Sequence, residues 1–142
     1  NGGYPLDQNI YQSVKGMTAA EASCKPGGVI IIASECSDGH GGESFYRAFA
    51  EEPSVQTIMD GILARGRDET IPDQWEIQVL ARILLKYTVI MVTGVPREIV
   101  ENMSMKWACD METAVSMAKA ITGGEHSTFT VIPDGIAVIV RQ

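Results

Sequence analysis

Two short runs of consecutive apolar, largely β-branched residues stand out along the chain: VIIIA at residues 29–33 and TVIMVT at residues 88–93. Runs of this kind predict strands covered on both faces, as in a parallel sheet between helices. Most of the remaining apolar residues recur with helical spacing. Val55, Ile58, Met59 and Ile62 share one face of a helix predicted over residues 53–65. Ile77, Leu80, Ala81 and Leu84 recur at i, i+3, i+4 and i+7 in another. Residues 111–121 form a third amphipathic stretch, ended by Gly123-Gly124.

The remaining boundaries come from caps and turns. A first helix is predicted over residues 7–15, with Asp7 as its cap and Gly16 as its end. Thr18-Ala-Ala-Glu21 reads as a capping box, so a second short helix is predicted to about Lys25. Asp73-Gln-Trp-Glu76, directly after Pro72, reads as another capping box. Helices are expected over residues 43–50 and 97–103, and a short strand over 105–109. Residues 129–132 and 136–140 read as strands joined by the Pro133-Asp-Gly135 turn. The alternation predicts an α/β fold: a three-layer, Rossmann-like sandwich, its sheet mostly parallel with a mixed edge made by the terminal hairpin.

The length, 142 residues, suits a single domain over residues 1–142 with a substantial core. Eleven Lys and Arg against eighteen Asp and Glu leave a net charge of −7. That balance argues against a nucleic-acid backbone as partner, which calls for a basic face. No apolar run approaches the ~20 residues that span a bilayer, and no signal peptide is visible. Three cysteines without paired spacing read as reduced thiols, and the expected location is cytoplasmic. Cys36 and His40 have no further clustered ligand, so no metal site held by this domain is expected.

At about 100° per residue, Ile10 and Val14 fall on one side of the first helix and Tyr11, Gln12 and Lys15 within an arc on another. An ammonium with three donors beside an amide could hold a carboxylate, with Tyr11 as a wall. A plain solvated helix face gives the same spacing. Trp75 lies in the first turn of its helix, off the apolar stripe, as an exposed platform or a core residue, and core is the commoner case. Ser37-Asp-Gly-His-Gly-Gly42 follows the first strand, where ligands gather in open α/β sheets. A tight turn explains that loop equally well, and it matches no phosphate-binding pattern.

The run NGGYPLDQNIYQSVKGM at residues 1–17, followed in order by SDGHGGESFYRAF, IPDQW and VIPDG, resembles the nickel-dependent lactate racemase family in its C-terminal domain. The matching segments spread from residue 1 to about residue 135. The resemblance implies a two-domain enzyme with a cleft between domains. The N-terminal domain, absent from this sequence, would hold a nickel-pincer nucleotide (nickel pyridinium-3,5-bisthiocarboxylic acid mononucleotide) through a lysine and a histidine. Two further histidines there would act as general acid and base. A hydride would pass reversibly between the 2-hydroxy acid and the cofactor ring, interconverting enantiomers. A chain opening without an initiator Met, close to a helix that carries a site, fits a piece of such a protein.

By the same resemblance, Gln12 and Lys15 bind the substrate carboxylate, and Tyr11 and Trp75 line the cleft near the cofactor. No catalytic residue and no metal ligand is implied within these residues, and His40 receives no role. The implied partners are the N-terminal domain and a small 2-hydroxy acid such as lactate. This domain alone is expected to bind no cofactor and to be inactive. Other readings remain: a racemase or epimerase of another 2-hydroxy acid, a stand-alone nucleotide- or metabolite-binding α/β module built on the Gly-rich loop, or an oligomerisation module.

Overall fold

A computed structural model describes residues 1–124, 126–136 and 138. Among these, the element order is α1 (Ile10–Glu21), β1 (Val29–Ala33), α2 (Glu43–Ala50), α3 (Val55–Ala64), α4 (Gln74–Leu84), β2 (Thr88–Val92), α5 (Arg97–Asn102), β3 (Lys106–Ala108) and α6 (Met111–Thr122). The three strands form one parallel sheet in the order β1-β2-β3. Val29 stands opposite Thr88 and Ala33 opposite Val92; Ile90 stands opposite Lys106 and Val92 opposite Ala108.

The two faces of this sheet are covered differently. Strand residues alternate between faces. Ile30, Ile32, Val89 and Met91 join Ile10, Val14 and Met17 of α1, Phe45 and Phe49 of α2, and Ile77, Leu80 and Ala81 of α4 in the larger core. Ile90 and Ala108 pack with Ala114 and Ala118 of α6, alongside Val29 and Ile31. Alanines one turn apart let α6 approach the sheet closely. Helices thus flank a parallel sheet on both sides, as the alternating pattern predicts.

α1 is one helix, not two. Asn9, rather than Asp7, caps it: its Oδ1 accepts from the Gln12 amide at 2.9 Å. Asp7 serves instead through its carbonyl, which accepts from the Cys36 amide at 2.9 Å. Gly16 does not end the helix, because its role is close packing. A Cβ there would lie 3.0 Å from Ile32 Cδ1 of β1, and one on Gly135 would lie 3.3 Å from the Gly16 Cα. Thr18 does not start a new helix either. Its hydroxyl donates back to the Lys15 carbonyl at 2.6 Å, inside a continuous α1.

The second expected capping box is also not formed. Asp73 precedes α4 in the left-handed conformation, φ 60° and ψ 8°, with no side-chain cap bond. Its carbonyl accepts from the amides of Glu76 and Ile77 at 2.9 and 3.0 Å. This leaves both carboxylates free for other contacts.

The expected strand at residues 129–132 is absent: these residues are irregular, and Phe129 and Val131 are exposed. β-branched and aromatic residues are a weak strand signal by themselves, and no described strand pairs with these residues. Most of the companion strand at 136–140 lies outside the described residues. All described strand pairings are parallel, so the mixed edge is not part of the described sheet.

Candidate functional site

The Gly-rich loop between β1 and α2 builds the start of α1. Helix N-termini leave backbone amides without intrahelical partners. Here the Gly39 carbonyl accepts from the Ile10 amide at 3.0 Å and the His40 carbonyl from the Tyr11 amide at 3.2 Å. Such close wrapping requires glycine at residue 41, where φ is 83° and a Cβ would collide with the Asn9 carboxamide. The loop is thus committed to the protein's own backbone. His40 is held locally as well, stacked on Tyr46 at 4.7 Å with its Nδ1 3.1 Å from the Gly42 carbonyl.

With its start fixed in this way, α1 buries Ile10, Val14 and Met17 and turns Tyr11, Gln12 and Lys15 outward, each half-buried. Lys15 Nζ donates to Gln12 Oε1 at 2.5 Å. Lys15 is in no ion pair within 4.0 Å among the described residues. Its ammonium therefore retains donor capacity toward an anion. Lys15 also borders a shallow hollow of about 240 Å³ shared with Thr18, Ala19, Ala22, Gly135 and Ile136.

Tyr11 joins this polar pair to an aromatic series running from core to surface. Phe49 meets Phe45 edge-on at 5.8 Å, Phe45 meets Tyr11 at 5.2 Å, and Tyr11 meets Trp75 at 5.8 Å and 84°. Edge-to-face pairs at these separations are the favoured aromatic geometry. The inner rings, Phe49 and Phe45, are buried, whereas Trp75 is 57% exposed. Trp75 is an exposed residue, not the core residue that spacing alone favours. Tyr11, Gln12, Lys15 and Trp75 are thus gathered where α1 meets the start of α4.

Beneath that surface lie two carboxyl groups that the capping-box reading assigns elsewhere. The Tyr11 hydroxyl donates to Asp73 Oδ1 at 3.4 Å. Burial, with the nearby charges of Asp73 and Glu76, raises the Tyr11 pKa above its ordinary value. Glu76 is only 1% exposed, and its Oε1 has no hydrogen-bond partner. Burial pushes its carboxyl up to about 7, opposed by Lys15 and reinforced by Asp73. One sequence signal does point to it. Glu76 is one turn before Leu80, so it falls on the buried stripe of α4.

A separate hollow of about 280 Å³ lies at the C-terminal ends of β1 and β2, lined by Glu35, Cys36, Ser37, Gly39, Gly94, Val95 and Pro96. None of the four surface residues borders it. Among the described residues, no three His, Cys, Asp or Glu side chains cluster as a metal site requires, and no helix is long and apolar enough to cross a membrane.

Comparison with known proteins agrees with this architecture. Residues 1–140 match the lactate racemase C-terminal domain. A lactate racemase of Thermoanaerobacterium thermosaccharolyticum is 62% identical over 143 residues, covering all of this chain and 33% of that protein. A lactate racemase of Lactiplantibacillus plantarum is 49% identical over 142 residues, covering 99% of this chain and 33% of its own length. The solved structure of the T. thermosaccharolyticum lactate racemase apoprotein superposes with a TM-score of 0.94 at 61% identity, over 99% of this chain and 34% of that one. The chain thus spans about a third of the length of these relatives, and it belongs to the lactate racemase C-terminal domain family.

Proposed function

We propose that this chain forms one wall of the active-site cleft of a lactate racemase and holds the substrate's carboxylate there. The observation that carries the reading is Lys15. Its ammonium is joined to the Gln12 amide, has no carboxylate within 4.0 Å among the described residues, and lies one turn along α1 from Tyr11, which meets the exposed Trp75. A 2-hydroxy acid carries a carboxylate beside the carbon that changes configuration. Fixing that carboxylate at Lys15 and Gln12 fixes the reacting carbon relative to the opposite wall. The clamp binds and orients the substrate but moves no proton.

In this reading the remaining two-thirds of the protein supplies the opposite wall and holds a nickel-pincer nucleotide. When bound, that cofactor provides a reversible hydride acceptor. The residues present here suit lining it rather than ligating its metal. Trp75 offers an indole that is more than half exposed for contact with a planar ring, and the described residues include no cluster of metal ligands. Tyr11 and Trp75 also keep water from the substrate as the cleft closes. The competing nucleotide-binding reading is weakened by the Gly-rich loop, whose Asp38, Gly39 and Gly42 amides already donate to Gln8, Cys36 and His40 rather than toward a phosphate.

The decisive experiment is lactate racemisation by the full-length, cofactor-loaded protein. Lys15→Ala should chiefly raise KM, through loss of a charged hydrogen bond contributing about 1.5–3 kcal/mol. Unchanged KM and kcat would remove Lys15 from the site. The 142-residue domain alone should not racemise lactate, and activity in it would overturn the two-wall reading.

A further inference from the structure

Glu76 is a buried carboxyl group beside the proposed clamp that substrate binding itself does not use. It enters the core from the first turn of α4, where α4 packs on α1, and its Oε1 finds no donor. A buried acceptor without a partner is costly unless the group serves another purpose. The charged and titratable groups that face it come from α1 and from the entry to α4. From α1 they are Lys15 and Tyr11, and from the entry to α4 it is Asp73. α2 turns the apolar Phe45 and Phe49 inward, and α3 turns Ile58 and Ile62. Arg65, just after α3, is engaged with the Gln74 carboxamide at 3.3 Å. Lys15 is thus the only cation among these that acts on Glu76.

We propose that Glu76 is a positioning residue whose buried carboxyl sets the charge of the Lys15 clamp, gaining a proton from solvent when a substrate carboxylate docks there. The inference rests on the clamp reading above. With Glu76 ionised, the field of Lys15 is partly cancelled from below, and an incoming carboxylate meets a second negative charge. With Glu76 neutral, the full field of Lys15 faces the substrate. A bound carboxylate therefore favours the protonated form of Glu76, and protonation equally favours binding, since the two are reciprocally linked. Burial already holds the group near neutrality, at about pH 7, where a single docking event can tip it. Lactate itself stays ionised at that pH and contributes no titration of its own.

The test is titration of the full-length, cofactor-loaded protein with racemic lactate, in which turnover makes no net product. Calorimetry is run in two buffers of different ionisation enthalpy at pH 6, 7 and 8. The wild type should take up a fraction of a proton per lactate bound, most between pH 7 and 8, and its KM should rise several-fold over that interval. Glu76→Gln should abolish the uptake and flatten that part of the KM profile, leaving affinity close to the wild type's at pH 6. Glu76→Asp, which moves the carboxyl without removing it, should shift the midpoint of uptake. Absence of uptake in the wild type, or uptake unchanged in both variants, would overturn the role of Glu76. Lys15→Ala separates the two levels. Binding weakened about tenfold or more, with uptake lost, supports both. Lysine-dependent binding whose uptake ignores Glu76 defeats only this inference. Lysine-independent binding defeats the clamp itself.

Discussion

The hydroxyl of Tyr11 lies 3.4 Å from Oδ1 of Asp73, tying the outer face of α1 to the residue where the chain turns left-handed into α4. That tie brings Trp75 against Tyr11 and Glu76 beneath it. Asp73 accordingly has two duties, one of backbone conformation and one of side-chain contact. Asn tolerates the left-handed region and keeps a polar side chain, whereas a β-branched residue does neither. Asp73→Asn should leave stability within about 0.5 kcal/mol, and Asp73→Val should cost roughly 2 kcal/mol. Urea unfolding of the domain checks both. An equal effect of the two would show that the φ of 60° imposes no constraint.

The Gly-rich loop allows a paired comparison. Gly39 and Gly41 both have positive φ, 64° and 83°, but a Cβ on Gly39 meets open space and one on Gly41 meets Asn9. Gly39→Ala should therefore cost only conformational strain, about 1 kcal/mol. Gly41→Ala adds a collision with the cap of α1 and should cost more, about 2–3 kcal/mol including the lost cap. Circular dichroism with urea unfolding distinguishes them. Equal costs would mean that the loop does not hold the start of α1.

Glu76 should also leave a mark on stability. Its folded pKa, about 7, lies above the ordinary carboxylate value of 4.5. Below pH 4.5 the group is protonated in both the folded and unfolded chain and has no net effect. As pH rises toward 7 the unfolded chain loses this proton while the folded chain keeps it, so stability falls, and the loss levels off above 7. The full penalty is on the order of 3 kcal/mol. Glu76→Gln should be nearly neutral at pH 4.5 and stabilising at pH 8, by roughly 5–10 °C in melting temperature. A variant with the same offset at both pH values would show that Glu76 is not held protonated.

How far the fold can be read from the residues depends on which interaction dominates each segment. β1 and β2 are legible because a strand buried on both faces has to be continuously apolar, and no exposed element imitates that. The shared face of Tyr11, Gln12 and Lys15 follows from helix geometry alone. Gly16 misleads, because the signal for a helix end is also the signal for close backbone approach, and here Ile32 supplies the reason. Asp73 and Glu76 mislead in the same way. Their spacing is that of a capping box, but tertiary contacts with Tyr11 and the α1–α4 interface claim both side chains. Residues 129–132 have the β-branched and aromatic composition of a strand yet have no strand beside them among the described residues. The tie between α1 and α4 joins residues 62 positions apart, a distance that no local pattern spans.

Trp75 and Phe45 flank Tyr11 in one aromatic contact series, and truncating each should separate folding from function. Phe45 is fully buried between Tyr11 and Phe49, so Phe45→Ala should cost about 3–5 kcal/mol by leaving a cavity. Trp75 is 57% exposed and touches Tyr11 at one edge. Trp75→Ala should cost the domain no more than about 1–1.5 kcal/mol, the scale of one aromatic pair. In the full-length, cofactor-loaded protein the order should reverse. Trp75→Ala should lower kcat/KM for lactate at least tenfold at a temperature where the variant stays folded, because it removes the platform that closes on the reacting groups. Thermal melts of the domain beside racemisation assays of the whole protein provide the comparison. A Trp75→Ala protein that melts far below the wild type but racemises normally would assign Trp75 to the core and take it out of the cleft.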